Sequence, residues 1–402
     1  MKAPTIEVTG KDPDSLARST SVKVNGNSLR TPELALEVPV RNPVGLEVLS
    51  QKEFLLRSPL MEVYRTLSID RINECVGPSD ASAEASRRLS SEVGASLRKA
   101  AERGGVPILI LALTDNNRNP LNAVPPRKEL DYILDLLWRP ENKIVVPPVV
   151  GTLTKPEQYQ TILEGIQARE ESIQERFTMA VIPSTYRSIT EQLVGMYWKS
   201  GARIFAVDLQ ARGFAANAPA ISLVHRILGG LANKSKEAFV LHALNSRERV
   251  GVRDSARTNW LTGAAFGFDT VGANHIPPRG FSSTSDPVEE VAKVSLFQSR
   301  DFGYYSLAEL RKRKGSRLDV ELDTFPFDSM TLDTLIKSAE PDRARTAAKK
   351  HNISKALRET KSFQALLEAG RFGRYVHQKD RVMADYEVAR EVGSGLKVKT
   401  ID

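Results

Sequence analysis

The sequence predicts an α/β chain folded as a (β/α)8 TIM barrel, with a small N-terminal β-hairpin and a helical C-terminal segment. Two observations carry this. Apolar runs alternate with amphipathic helical patterns roughly eight times over about 250 residues, the usual content of such a barrel. The strongest runs, PILILAL and KIVVPPVV, are apolar throughout rather than at every second residue, which suits a parallel sheet covered on both faces. A doubly wound open sheet satisfies the same pattern and stays as the alternative.

Residues 1–30 hold two short alternating runs, IEVTG and TSVKVNG, and Asn25-Gly26 is a hairpin turn signal. The barrel domain is expected over 31–322. Its strands are expected at 36–40, 66–70, 107–113, 144–150, 178–183, 203–209, 238–243 and 268–271. Helices are expected between most of them, at 82–103, 127–138, 156–176, 189–200, 221–232 and 249–265, where apolar residues recur at helical spacing. The stretch PPRGFSSTSDP (277–287) breaks the rhythm after the last strand. On a barrel it falls on the C-terminal face, as a lid or as an uninvolved insertion. Residues 323–402 are helical and basic, with 15 Lys and Arg against 9 Asp and Glu from 336 onward. Lys349, Lys350, Arg371, Arg374 and Lys379 could dock phosphates there; a solvated helical face is the alternative reading.

Hydrophobic residues make up 41% and charged residues 26% of the chain, as in ordinary globular domains. No apolar run approaches the roughly 20 residues of a membrane span, so no membrane association is expected. The N-terminus has no apolar core of a secretory signal. A single cysteine, Cys75, excludes an internal disulfide framework and fits a reducing cytoplasm. A net charge of +8 suits a polyanionic partner, and equally simple solubility. No G-x-G-x-x-G, Walker A or G-x-S-x-G motif stands in a fitting context, and no cofactor is expected.

Polar residues gather near the ends of the expected strands: Asp115 with Asn116, Asn117 and Asn119, then Asp208 with Gln210, His242, Asp269 and His275. Asp115 and its asparagines read as a ligand reader or as a turn-forming cluster. His242 reads as a packed, hydrogen-bonded histidine. On a barrel rim His242, His275, Asp208, Asp269 and Asp115 could also hold a hydrolytic metal, although no H-x-H or H-E-x-x-H spacing supports one.

Several segments resemble the tRNA-guanine transglycosylases. RTPELALEVPVRNP (30–43) is similar to the E-T-P-A-L-x-P-V-V-N-P segment of archaeal-type members. LFQSRDFGYYSLAELRKRKGS (296–316) is similar to L-Y-A-R-D-G-R-Y-x-T-x-E, and the helix from His351 to the turn at 371–376 to the family's H-N-L helix. The middle of the chain matches less well. Between these, DTFPFDSM (323–330) stands where the family carries C-x-C-x-x-C and a distant His. Phe325, Phe327 and Met330 replace the cysteines, so no zinc is expected and His351 is left as a former ligand bonding locally.

The resemblance implies exchange of guanine for a 7-deazaguanine-type base in tRNA or DNA, with carboxylates as nucleophile and proton carrier. The family nucleophile lies in G-x-D-x-F-D-S. Against AAFGFDTVGANH (264–275), Gly267 and Asp269 match its Gly and first Asp, and the nucleophile's place falls on Gly272. A shift of three residues would let Asp269 serve; otherwise Asp269 is a buried structural residue. The family's other acid, in D-S-G-x-F-Q, finds only Asp70 nearby. Asp115, Asn116, Asp208 and Gln210 are the candidate base readers. The alternatives are a non-catalytic nucleic-acid-binding or partner subunit, in a homodimer or heterodimer, and a metal-dependent barrel hydrolase.

Overall fold

The structure, a computed structural model, describes residues 3–398 apart from 25, 40–43, 55–58, 152, 154, 171–175, 184–186, 248–255, 258, 277–285 and 313–338. The chain starts with three antiparallel strands, β1 (Thr5–Lys11), β2 (Arg18–Val24) and β3 (Asn27–Arg30). The expected hairpin is thus part of a three-stranded sheet, and the turn at Gly26, whose φ of 85° suits glycine, joins its second strand to its third.

A closed parallel barrel follows. Residues 33–37 supply its first strand as two short pieces, β4 (Glu33–Leu34) and β5 (Leu36–Glu37). The rest are β6 (Leu60–Ser68), β7 (Val106–Thr114), β8 (Ile144–Val145), β9 (Phe177–Pro183), β10 (Ile204–Asp208), β11 (Val240–Leu244) and, after a short β12 (Ala256–Arg257) outside the barrel, β13 (Thr270–Val271). Neighbours pair in parallel in the order β4-β13-β11-β10-β9-β8-β7-β6-β5, so the split first strand joins both ends of the ladder. The open-sheet alternative is thereby excluded. A second antiparallel sheet joins β12 to β14 (Ser295–Gln298) and β15 (Gly303–Ser306).

Side-chain alternation divides the barrel into an inside and an outside. Leu60, Val106, Ile144, Phe177, Ile204 and Val240, near the starts of their strands, form one inward cluster with Val22, Val24 and Leu29 of the N-terminal sheet. The small sheet therefore plugs the N-terminal end of the barrel. Any site built on the barrel interior is left to the C-terminal end.

Helices cover the outside: α1 (Val44–Leu49), α2 (Ile69–Val76), α3 (Asp80–Glu102), α4 (Arg127–Leu137), α5 (Pro156–Glu170), α6 (Arg187–Lys199), α7 (Ala218–Ser235) and α8 (Asn259–Ala265). After α9 (Pro287–Lys293) and α10 (Leu307–Lys312), the C-terminal segment forms α11 (Pro341–Glu368), α12 (Phe372–Val376) and α13 (Met383–Val398). An aromatic chain, Trp260–Phe363–Phe372–Tyr386, ties α8 of the barrel to all three. Large rings contribute both area and edge contacts, roughly 0.5–1.5 kcal/mol per pair beyond burial.

Three expectations shift. The second strand is Leu60–Ser68 rather than 66–70, because Ser68 caps α2 by accepting from Arg71 N (3.2 Å), so residues 69–70 turn helical. The fourth strand ends at Val145 because Pro147 and Pro148 have no N–H for the ladder. Of the expected helix at 249–265, residues 249–255 and 258 lie outside the described residues, Ala256–Arg257 is a strand and Asn259–Ala265 is helical. The loop 277–285 and the replaced zinc positions Phe325, Phe327 and Met330 lie outside the described residues.

Candidate site at the C-terminal mouth of the barrel

Glu62 is the residue on which the mouth is built. It lies on β6 between Leu60 and Tyr64 on the inward face, and it is fully buried. A charge in that position must find partners or neutralise. Glu62 Oε2 accepts from the backbone N–H of Ala273 (3.0 Å) and lies 2.9 Å from His275 Nε2. Its Oε1 lies 2.8 Å from His242 Nε2, a close contact set off the line of a hydrogen bond. Burial alone would raise the Glu62 pKa, but the close contacts and charges of His242 and His275 outweigh it and lower it from 4.5 to about 2. The carboxylate is therefore held ionised inside the barrel.

The two imidazoles are themselves held. His242, on β11, pairs with Thr270 on β13, and its Nδ1 meets the Thr270 hydroxyl at 2.9 Å. His275 stacks flat on the Tyr64 ring, with centroids 4.1 Å apart and 9° between planes. Its backbone N–H donates to Asn245 Oδ1 (3.3 Å), and Asn245 Nδ2 donates to Asp208 Oδ1 (3.0 Å). On the other side, His275 Nδ1 lies 3.8 Å from Glu37, which is paired with Lys349 of α11 at 2.9 Å. A polar network thus runs from Asp208 at the end of β10, through Glu62, to the C-terminal helix.

Gly272 makes this arrangement possible. A Cβ on residue 272 would stand 1.9 Å from Glu62 Oε1 and 3.0 Å from the Ala243 carbonyl. The Glu62 carboxylate fills the space from which a side chain at 272 would grow. This is the place that the transglycosylase resemblance gives to the nucleophile.

Asp208 borders a cleft lined also by Pro147, Pro148, Gly151, Val181, Pro183, Tyr197 and Gln210. Its volume is about 20 Å³, room for about one water molecule. Asp208 Oδ1 accepts from Gln210 N (3.0 Å) as well as from Asn245. Burial raises the Asp208 pKa against these two bonds. Gln210, Ala211 and Asn245 take left-handed backbone angles (φ 51°, 57° and 53°), uncommon for residues other than glycine, so the rim is locally strained. Burial and the charges of Asp208 and Glu62 raise the Tyr64 pKa.

The remaining expected site residues are spread over the molecule. Asp269 sits at the opposite end of the barrel from Asp208. It is fully buried and binds Arg18 (Nη2–Oδ2 2.6 Å), the Thr20 and Thr31 hydroxyls and Leu241 N, while Arg18 also lies over the Phe239 ring. It is a structural pin between the N-terminal sheet and the barrel, and no shift of alignment brings it to the mouth. Asp70 is exposed in the first turn of α2. Asp115 closes its own turn, accepting from Asn117 N, Asn119 N and the Asn119 amide, with exposed Asn116 between them. The turn reading of that cluster holds, and these bonds lower the Asp115 pKa. Only Asp208 and Gln210 of the candidate base readers come together.

On the C-terminal segment, Lys349 pairs with Glu37 and Lys350 with Glu47. Arg371 and Arg374 are exposed. Lys379 is buried, donating to the Ser299 carbonyl (2.6 Å) beneath the Phe302 and Tyr375 rings, so it cannot belong to an exposed cationic face. His351 is buried against the Phe297 carbonyl (Nε2–O 3.2 Å), and burial lowers its pKa to about 4. Among the described residues no three His, Cys, Asp or Glu side chains are grouped to hold a metal ion. His242 and His275 turn instead to different oxygens of one carboxylate. None of the helices among the described residues is long and apolar enough to cross a membrane.

No protein-family model matches the chain, and no curated protein matches it.

Glu62, Tyr64, Asn245 and Glu37 were not foreseen from sequence. The one available signal was an acidic residue inside the apolar run LMEVYRTLS, at the same parity as Leu60 and Tyr64.

Proposed function

We propose that this chain is a transglycosylase-like barrel without base-exchange activity, acting as a nucleic-acid-binding subunit in the cytoplasm. The observation that carries this reading is the pairing of Gly272 with Glu62. Base exchange needs an open carboxylate that can attack the sugar carbon. The place for one is glycine, and the carboxylate over it is buried, bonded to Ala273 N and His275 and in contact with His242. Asp269 is committed at the far end, Asp115 to its turn, and Asp208 to Asn245 and Gln210 N. The net charge of +8 favours a polyanionic partner.

The test has two arms. Labelled guanine is offered with bulk tRNA and with duplex DNA, and incorporation is measured; none is expected. Binding of the same nucleic acids is followed by fluorescence anisotropy across a salt series, and affinity is expected to fall as salt rises. Incorporation that disappears in Glu62→Gln or Asp208→Asn would overturn the non-catalytic reading. Absence of binding at low salt would overturn the nucleic-acid role.

A further inference from the structure

We propose that the seam where α11 meets α1 and the end of β5 is a phosphate-docking surface, held in check by Glu37 and Glu47. The inference rests on the nucleic-acid-binding reading above. α11 packs directly against α1. Two successive lysines on it reach two acids across the seam: Lys349 Nζ meets Glu37 at 2.9 Å and Lys350 Nζ meets Glu47 at 2.8 Å.

The exposure of these groups decides what they can do. The side chains of Lys349 and Glu37 are 39% and 37% exposed, and those of Lys350 and Glu47 are 19% and 50% exposed. Each pair reaches water, where an ion pair is screened and weak. A nucleic-acid backbone offers a row of phosphates and gains further by releasing its condensed counterions. Lys349, the more exposed of the two lysines, can thus change partner at little cost. The carboxylates left behind would repel the incoming backbone, so Glu37 and Glu47 act both as competitors and as a barrier. Farther along the same helix Arg345 is likewise paired, with Glu290 (2.6 Å) and Asp342 (3.0 Å). The seam also adjoins the barrel mouth, because Glu37 lies 3.8 Å from His275.

The experiment measures anisotropy of a short labelled DNA duplex and of labelled bulk tRNA over a salt series. It compares wild type, the Glu37→Gln/Glu47→Gln double variant, the Lys349→Gln/Lys350→Gln double variant and all four changes together. Circular dichroism melts confirm that each is folded. Removing the acids is expected to tighten binding several-fold at low salt. Removing the lysines is expected to weaken binding and to flatten the slope of log K against log salt by about 2, near one unit per lost phosphate contact. With the lysines gone, removing the acids should have only the small effect of the altered net charge. If wild type binds and the acid-free variant binds no better, the seam is overturned and the nucleic-acid reading stands. If wild type does not bind, the nucleic-acid reading falls and the seam falls with it, whatever the acid-free variant does. If none of the four proteins binds, both fall.

Discussion

The two ends of the barrel each bury a carboxylate completely, and they do so differently. At the N-terminal end Asp269 meets Arg18 through both oxygens and takes further bonds from Thr20, Thr31 and Leu241 N. At the C-terminal end Glu62 meets two imidazoles and one backbone N–H, and its contact with His242 is close without being aligned. A guanidinium presents a planar fork of donors that matches both oxygens of one carboxylate, whereas each imidazole brings a single ring nitrogen to it. The lower end is a two-pronged clamp; the upper end divides its two oxygens between separate partners. Burial alone does not distinguish them, and the identity of the partner does.

The comparison can be broken most severely at Asp269. Replacing it by Asn leaves the Arg18 guanidinium buried without a counter-charge, and a loss of about 3–5 kcal/mol is expected in urea denaturation. Glu62→Gln should cost less, about 2–3 kcal/mol, since the amide oxygen can still accept from Ala273 N and no guanidinium is stranded. The pH dependence sharpens the contrast. The folded-state pKa of Glu62 lies below the unfolded one, at about 2 against 4.5. Its stabilisation is therefore complete above pH 4.5 and is lost as pH falls toward 2, on the order of 3 kcal/mol in all. Burial also lowers His225 to about 3 and His351 to about 4, so their contributions fade as pH drops from 6.5. The difference between wild type and Glu62→Gln isolates the carboxylate. That difference should be flat above pH 5 and should shrink below it.

Gly272→Ala tests the same site from the other wall. The added methyl meets Glu62 Oε1 and the Ala243 carbonyl, and an overpacking loss of about 1–3 kcal/mol is expected in thermal denaturation. If Gly272→Ala costs nothing, Glu62 is not fixed where it lies. The smallest effect belongs to Asp208→Asn. Burial disfavours the charged form of Asp208, and the amide oxygen can keep the bonds from Asn245 and Gln210. The variant should match or exceed wild type at neutral pH by about 0.5–1 kcal/mol.

The barrel was legible because its strands advertise themselves. VPILILALT is buried at every position, and the helix expected at 82–103 is Asp80–Glu102. The site was not, for a reason seated in one strand. The inward face of β6 reads Leu60, Glu62, Tyr64, and a charge in that series weakens the strand signal that would have located it. With the strand placed six residues late, Glu62 went unnoticed and the two histidines lacked their common partner. Asp269 was open to two readings, a nucleophile after a three-residue shift or a buried structural residue, and its contacts with Arg18, Thr20 and Thr31 answer to the second. Charge counting had a similar limit. The C-terminal segment is basic in sum, but Lys379 is interior and Lys349, Lys350 and Arg345 already have acidic partners.

The split first strand has a consequence for how the protein is made. Glu33 pairs with Thr270, and Leu36 pairs with Met61. During synthesis the early half-barrel can assemble strand by strand, but its leading edge stays unmatched until translation has passed residue 271. Ring closure of that kind is a late, long-range event, and it leaves the Glu33–Leu34 edge without its neighbour until the last barrel strand has been made.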